Sequence, residues 1–252
     1  MHWPFSSRRN DEYSFVPKTK DNKHFKTGIA HELGDCTDED CCTFKFPFLN
    51  EENSGFFGLF EGHRQGWTAA RAVSLHLHEI LENEILAKQN LGDMRLCLES
   101  SFAKMDDMMS SVFLDRGTSA TVCILREMKF LHVANVGETR AILCRGTKAI
   151  RLTQDHTRSD EKEKTRLANC IAYTESSRRI QGLIRQTRAF GDHLLKDWII
   201  NTPHYLETRL ESDDTHVIFL SSSVAAVIED QDAVNLVLGI YPAFPPRDEG
   251  RI

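Results

Sequence analysis

An α+β layered fold is predicted by three features of the chain. A short apolar run stands early, two long helical stripes lie together between Ala69 and Phe113, and three β-rich runs joined by short polar turns follow them. Taken in order, residues 1–27 are polar and mixed in charge and read as an arm. From Cys42 to Phe48 apolar and polar residues alternate, as in a strand that stops at Pro47. Phe56 to Phe60 is an apolar run short enough for a buried strand, and it delivers Glu61 to its end.

Ala69, Ala70, Val73, Leu77, Ile80, Leu81 and Ile85 recur at helical spacing, and Leu91, Met94, Leu98, Phe102, Met105, Met109 and Phe113 draw a second stripe after Gly92. The second stripe is rich in Met, which also suits a partner-binding face, but core packing is the reading adopted. Thr118 to Leu125, Phe130 to Val136 and Arg140 to Cys144 read as an antiparallel meander, turning at Glu127 to Lys129 and at Gly137 to Thr139. Ser159 and Asp160 are N-cap candidates for a charged helix reaching about Leu167, most simply a solvated face. His216 to Leu220 reads as another strand, and Asp230 as the cap of a helix through Leu238. The domain is placed at residues 28–238, with a tail at 239–252.

The 252 residues suit one large core, and 40% apolar with 27% charged residues is ordinary for a globular protein. A net charge of −6 with dispersed Lys and Arg gives no basis for nucleic-acid binding. No apolar run approaches the roughly 18 residues of a membrane span, and the N-terminus lacks a secretory apolar stretch, so an intracellular site, cytoplasmic or nuclear, is expected. The seven cysteines are odd in number and irregular in spacing, as for reduced thiols; Cys36, Cys41 and Cys42 lack the paired spacing of a zinc site. Oligomeric state is left open.

The motifs are more specific. Gly55 to His63 reads G-F-F-G-L-F-E-G-H, and it resembles the F-F-G-V-F-D-G-H segment of the metal-dependent serine/threonine phosphatases of type 2C. Gly117 to Thr121, Ala134 to Ala141, Leu152 to His156, Ser159 to Glu161 and Gln186 to Asp192 resemble further segments of that family, in family order, from about Gly28 to Leu238. The resemblance implies a central sandwich of two antiparallel β-sheets flanked by helix pairs. It also implies phosphoserine and phosphothreonine hydrolysis by two Mn²⁺ or Mg²⁺ ions, held by carboxylates and waters, which activate a water.

On that resemblance Glu39 and Asp40 match an early pair of metal-site acids, and Glu61 stands at a bridging aspartate, one methylene longer. Gly62 would offer its carbonyl to a metal, and His63 stands at the proposed general acid. Asp35 replaces the arginine that clamps substrate phosphate, and would repel it. Ser222 replaces the second bridging aspartate, Ala226 another metal-site aspartate and Ala225 a tryptophan, while Arg64 and Gln65 replace glycines. Glu138 stands where an aspartate serves a third, weaker metal; the family's closing D-N-x-T strand does not appear. Asp155 and His156 read as structural on this resemblance, Arg188 as a packing and hydrogen-bonding residue, and Arg185 as a candidate anion contact.

Two functions are therefore expected. One is a pseudophosphatase that keeps the fold, binds Mn²⁺ or Mg²⁺ weakly if it binds either, and acts on a protein partner or phosphoprotein. The alternative is a weak Mn²⁺- or Mg²⁺-dependent phosphatase using Glu39, Asp40, Glu61 and His63.

Overall fold

The structure, a computed structural model, describes residues 26–29, 40–87, 93–170 and 185–240. Most of the expected arm and tail, together with Asp35, Cys36, Glu39 and Leu91, lies outside the described residues.

Strands β1 (Asp40–Lys45), β2 (Gly55–His63), β3 (Gly117–Arg126), β4 (Phe130–Val136) and β8 (His204–Arg209) form the main path of a six-stranded sheet in that order, and the two-residue β7 (Phe190–Gly191) pairs with the start of β3. Strands β6 (Lys148–Arg151), β5 (Arg140–Arg145) and β9 (Asp214–Leu220) make a second, three-stranded sheet. All these ladders are antiparallel.

Alternation along the strands divides the core into layers. From β3, Ala120, Val122 and Ile124 face the helices α1 (Trp67–Ala87) and α2 (Met94–Met109), where Phe56, Phe60, Leu77, Leu81, Leu98 and Phe102 complete the cluster. Cys123 and Leu125 face the other way and meet Leu143 of β5 and Val217 and Phe219 of β9, which joins the two sheets. Ile142 and Cys144, on the outer face of β5, pack with Ala225 of α4 (Ser222–Ala225) and with Ala233 and Val234 of α5 (Asp230–Val237). The result is helices, sheet, sheet, helices: the α+β sandwich the motifs imply.

The Met stripe behaves as core: Met94, Met105 and Met109 are buried, and Met108, off the stripe, is exposed. Asp93 caps α2 by accepting the Leu96 amide. Asp160 caps α3 (Glu161–Ala168) by accepting from Lys162 and Glu163, as expected.

Two expectations are corrected. The first residue of α5 is Asp230, and Glu229 is its N-cap; the Asp230 carboxylate instead accepts from Arg151 of β6 at 2.6 Å. An arginine pair outcompetes a backbone amide because both groups are charged and the fork is bidentate. Helix α3 is not wholly a solvated face either. Glu163 is 1% exposed and accepts from Arg166 at 2.9 Å and from Arg188, which also donates to the Thr202 carbonyl. Two guanidinium groups satisfy a carboxylate that would otherwise be costly to bury.

Candidate active site

The candidate residues meet at the end of β2, and strand register is what gathers them. Glu61 stands opposite Asp40 on β1 and opposite Ser119 on β3, so three side chains share one face of the sheet at its rim. Alternation sends His63 to that face as well, one step further along, opposite Gly117, which in turn pairs with Gly191 of β7. The chain then turns at Arg64 and Gln65, both left-handed at φ 57° and 62°. The glycine replacements noted in the sequence therefore occupy backbone conformations that glycine adopts without steric cost.

Glu61 reaches across to the second sheet. Its Oε1 accepts from the Ser222 hydroxyl at 2.7 Å and its Oε2 from the Ser222 amide at 3.0 Å. Ser222 opens α4, two residues after the end of β9, and the N-cap residue Ser221 makes no side-chain capping bond. A carboxylate from another sheet thus satisfies the first orphan amide of this helix.

His63 turns the other way. Its Nε2 lies 2.6 Å from Asp192 Oδ2, and because an ionised carboxylate only accepts, Nε2 carries the proton. Nδ1 is buried without a hydrogen-bond partner, as is Asp192 Oδ1. A Cβ at Gly117 would sit 2.3 Å from Asp192 Oδ2, so a bare backbone is needed there for the pair to form. Asp192 is itself fully buried and left-handed at φ 51°. Behind it, buried Asp106 of α2 accepts from the Gly191 amide at 2.8 Å, from Lys196 and from Asn201, anchoring the turn that presents Asp192.

Around this rim, Glu138 is half-buried. Burial raises its pKa, the charges of Asp155 and Glu61 add to the effect, and Arg185 at 3.4 Å opposes it. Arg185 is thus paired with an acid, and Arg188 is committed to Glu163. Asp155 accepts from Arg140 and Arg151, which also bind Asp230. Ala225 is buried in the outer core and Ala226 is exposed, and neither can ligate.

The neighbouring His156 is fully buried, with neither ring nitrogen hydrogen-bonded. Burial first, then the Arg188 charge, pushes its pKa down to about 3. The unfolded chain binds that proton near the ordinary value of about 6.5, so this residue's contribution is intact above that pH and is lost as pH falls towards 3. Urea unfolding is expected to show a loss of about 2 kcal/mol from this residue between roughly pH 7.5 and 5. His156→Phe should flatten that slope; equal slopes in both proteins would refute the assignment.

The described residues do not fit a two-metal centre. Among the described residues no three His, Cys, Asp or Glu side chains come together so as to hold a metal ion, and both Glu61 oxygens already accept from Ser222. The Cys42 thiol is pushed up to about 12 by burial, with Cys41 and Asp40 adding to it, which keeps it protonated. Of the predicted set, then, Asp40, Glu61, Gly62, His63 and Ser222 converge, and Asp35 and Glu39 lie outside the described residues. Sequence reasoning missed Asp192 as the partner of His63. It ends the quoted Gln186 to Asp192 segment, but 129 residues separate the two, and the β7 pairing brings them together.

Comparison with known proteins adds an independent line. The family model described as Protein phosphatase 2C matches residues 28–240. Protein phosphatase 2C homolog 1 of Saccharomyces cerevisiae is 30% identical over 244 residues, covering 89% of this chain and 86% of that protein. Probable protein phosphatase 2C 56 of Oryza sativa subsp. japonica is 32% identical over 206 residues, and there the match spans 79% of this chain but 57% of the relative. Among solved structures, a serine-threonine phosphatase 2C from Toxoplasma gondii superposes with a TM-score of 0.75 at 18% identity, over 89% of this chain and 86% of that one. A C. elegans sex determining protein does so with a TM-score of 0.73 at 22% identity, over 83% and 54%. These two establish likeness of fold.

Proposed function

The chain belongs to the protein phosphatase 2C family, and from that premise we propose that it is a catalytically impaired phosphatase domain that acts by binding a protein partner, most simply a phosphoprotein. The observation that carries this reading is the capture of the Glu61 carboxylate by Ser222. Metal-assisted hydrolysis asks several carboxylates to converge on cations that then activate water. Here the central carboxylate is satisfied by an amide and a hydroxyl of the same chain. His63 supports the reading too, since its protonated nitrogen donates to buried Asp192 and its other nitrogen is buried. A general acid must reach the group it protonates. In this arrangement His63 ties the β2 end to the turn after β7.

One observation favours the alternative of a weak Mn²⁺- or Mg²⁺-dependent phosphatase. Asp40, Glu61 and Glu138 line one rim, and the raised pKa of Glu138 owes part of its shift to Glu61. Such a concentration of negative charge attracts divalent cations. No helix among the described residues is long and apolar enough to cross a membrane.

Phosphate release from a phosphothreonine peptide, followed across a Mn²⁺ titration, separates the two. Release at the level of Glu61→Ala is expected, and Ser222→Asp alone should not bring robust turnover, because Asp35 and Ala226 remain. Metal-dependent release that Glu61→Ala abolishes would establish the alternative and remove the proposed impairment.

A further inference from the structure

The family fold ordinarily gathers acids around cations at this rim, and the described residues do not fit that arrangement. We infer that the Glu61–Ser222 pair is a cation-free clamp, which fastens the rim of the first sheet to α4 behind the second and leaves the fold independent of divalent metal. The inference rests on the reading of an impaired site and extends it from what the rim fails to catalyse to what holds it together.

Three observations converge. The contact is two-pronged: one carboxylate oxygen takes a hydroxyl at 2.7 Å, and the other a backbone amide at 3.0 Å. A carboxylate accepting a backbone amide together with a side-chain hydroxyl is among the stronger hydrogen-bonded arrangements available to it. Secondly, the amide is one that needs a partner. It opens α4, and the serine before it points its hydroxyl at Ser223 instead, at 3.0 Å. Thirdly, the flanking geometry gives the contact mechanical meaning. Glu61 lies near the end of β2, the strand between β1 and β3, and Ser222 follows β9 by two residues, so the bond joins residues 161 apart in sequence. The extra methylene of glutamate relative to aspartate lengthens the side chain across this gap, and serine is compact and can donate, whereas an aspartate at 222 would set carboxylate against carboxylate.

Thermal unfolding of the full chain tests this, in EDTA and in Mn²⁺, for wild type, Glu61→Ala, Glu61→Asp, Ser222→Ala and the Glu61→Ala/Ser222→Ala double variant. Wild type is expected to melt at the same temperature in both media. Glu61→Ala should lower Tm by roughly 4–8 °C and Ser222→Ala by roughly 3–6 °C. The double variant should fall no more than about 2 °C below Glu61→Ala, since the pair acts as one unit. Glu61→Asp keeps the charge and loses the reach, and should melt with Glu61→Ala.

A Tm for wild type that rises by several degrees in Mn²⁺, with the rise lost in Glu61→Ala, overturns the clamp. So do additive effects in the double variant, or a Glu61→Asp protein as stable as wild type. Ser222→Ala, the mildest change, keeps the test open should Glu61→Ala not fold. Phosphate release by wild type would instead defeat the reading of impaired catalysis, and it is measured separately, so the two failures are distinguishable.

Discussion

Arg188→Ala is expected to destabilise the domain by about 3 kcal/mol, read as a lower urea midpoint at unchanged slope. Its guanidinium lies against Glu163, whose side chain is 1% exposed, and it donates to the Thr202 carbonyl at 2.7 Å as well. Removing it leaves a buried carboxylate with Arg166 alone, and truncating one partner of a buried pair typically costs about 3–5 kcal/mol. The remaining Arg166 contact at 2.9 Å argues for the lower end of that range. The same substitution should alter the acid limb of stability. Burial by itself raises the Glu163 pKa, but hydrogen bonds and charge from Arg188, with Arg166, outweigh it and hold the group at about 2. A carboxyl lowered on folding contributes stability that is present above its ordinary pKa and lost as pH falls through the folded value. The window therefore runs from about 4.5 down to about 2, and is worth roughly 3 kcal/mol. Arg188→Ala should be markedly less sensitive across it than wild type. A loss under about 1 kcal/mol at neutral pH would show that Arg166 alone suffices.

The second large effect is expected at Phe190, where Phe190→Ala should cost about 3–5 kcal/mol. Phe190 is fully buried against Phe102 of α2, ring centroids 4.8 Å apart and tilted by 38°. The cost has two parts, the lost transfer of the ring from water and the cavity left between α2 and the sheet. Position adds a consequence for the site. Phe190 pairs with Thr118 on β3, and Gly191 and Asp192 follow it directly, so a loosened ring frees the turn that presents Asp192 to His63. Phe190→Leu, which refills most of the volume, should retain most of the stability. Equal loss in both variants would place the effect in the backbone pairing and not in packing.

How much of this was legible in the chain depended on how strongly each element patterned itself. Helices α1 and α2 and strands β3 to β5 were readable because their apolar faces are long and periodic. Strands β6, β7 and β8 were not. Lys148–Arg151 is four residues long, Phe190–Gly191 two, and His204–Arg209 mostly polar, so each is a strand because a neighbour offers it a ladder. The site divides the same way. Glu61, His63 and Ser222 could be singled out as motif positions, but what each side chain touches could not, since every partner lies more than a hundred residues away. The buried state of Glu163 was hidden as well: Arg188, its partner, lies outside its own helix, 25 residues further along the chain.

Because one serine takes both oxygens of Glu61, positions 61 and 222 are not free to vary separately. A change from Glu61 to Asp while Ser222 stands passes through a chain with neither a hydrogen-bonded carboxylate nor a second acid. A change of Ser222 to Asp while Glu61 stands passes through one with two unrelieved negative charges. On the clamp inference either single step costs stability, so the two positions are expected to change together.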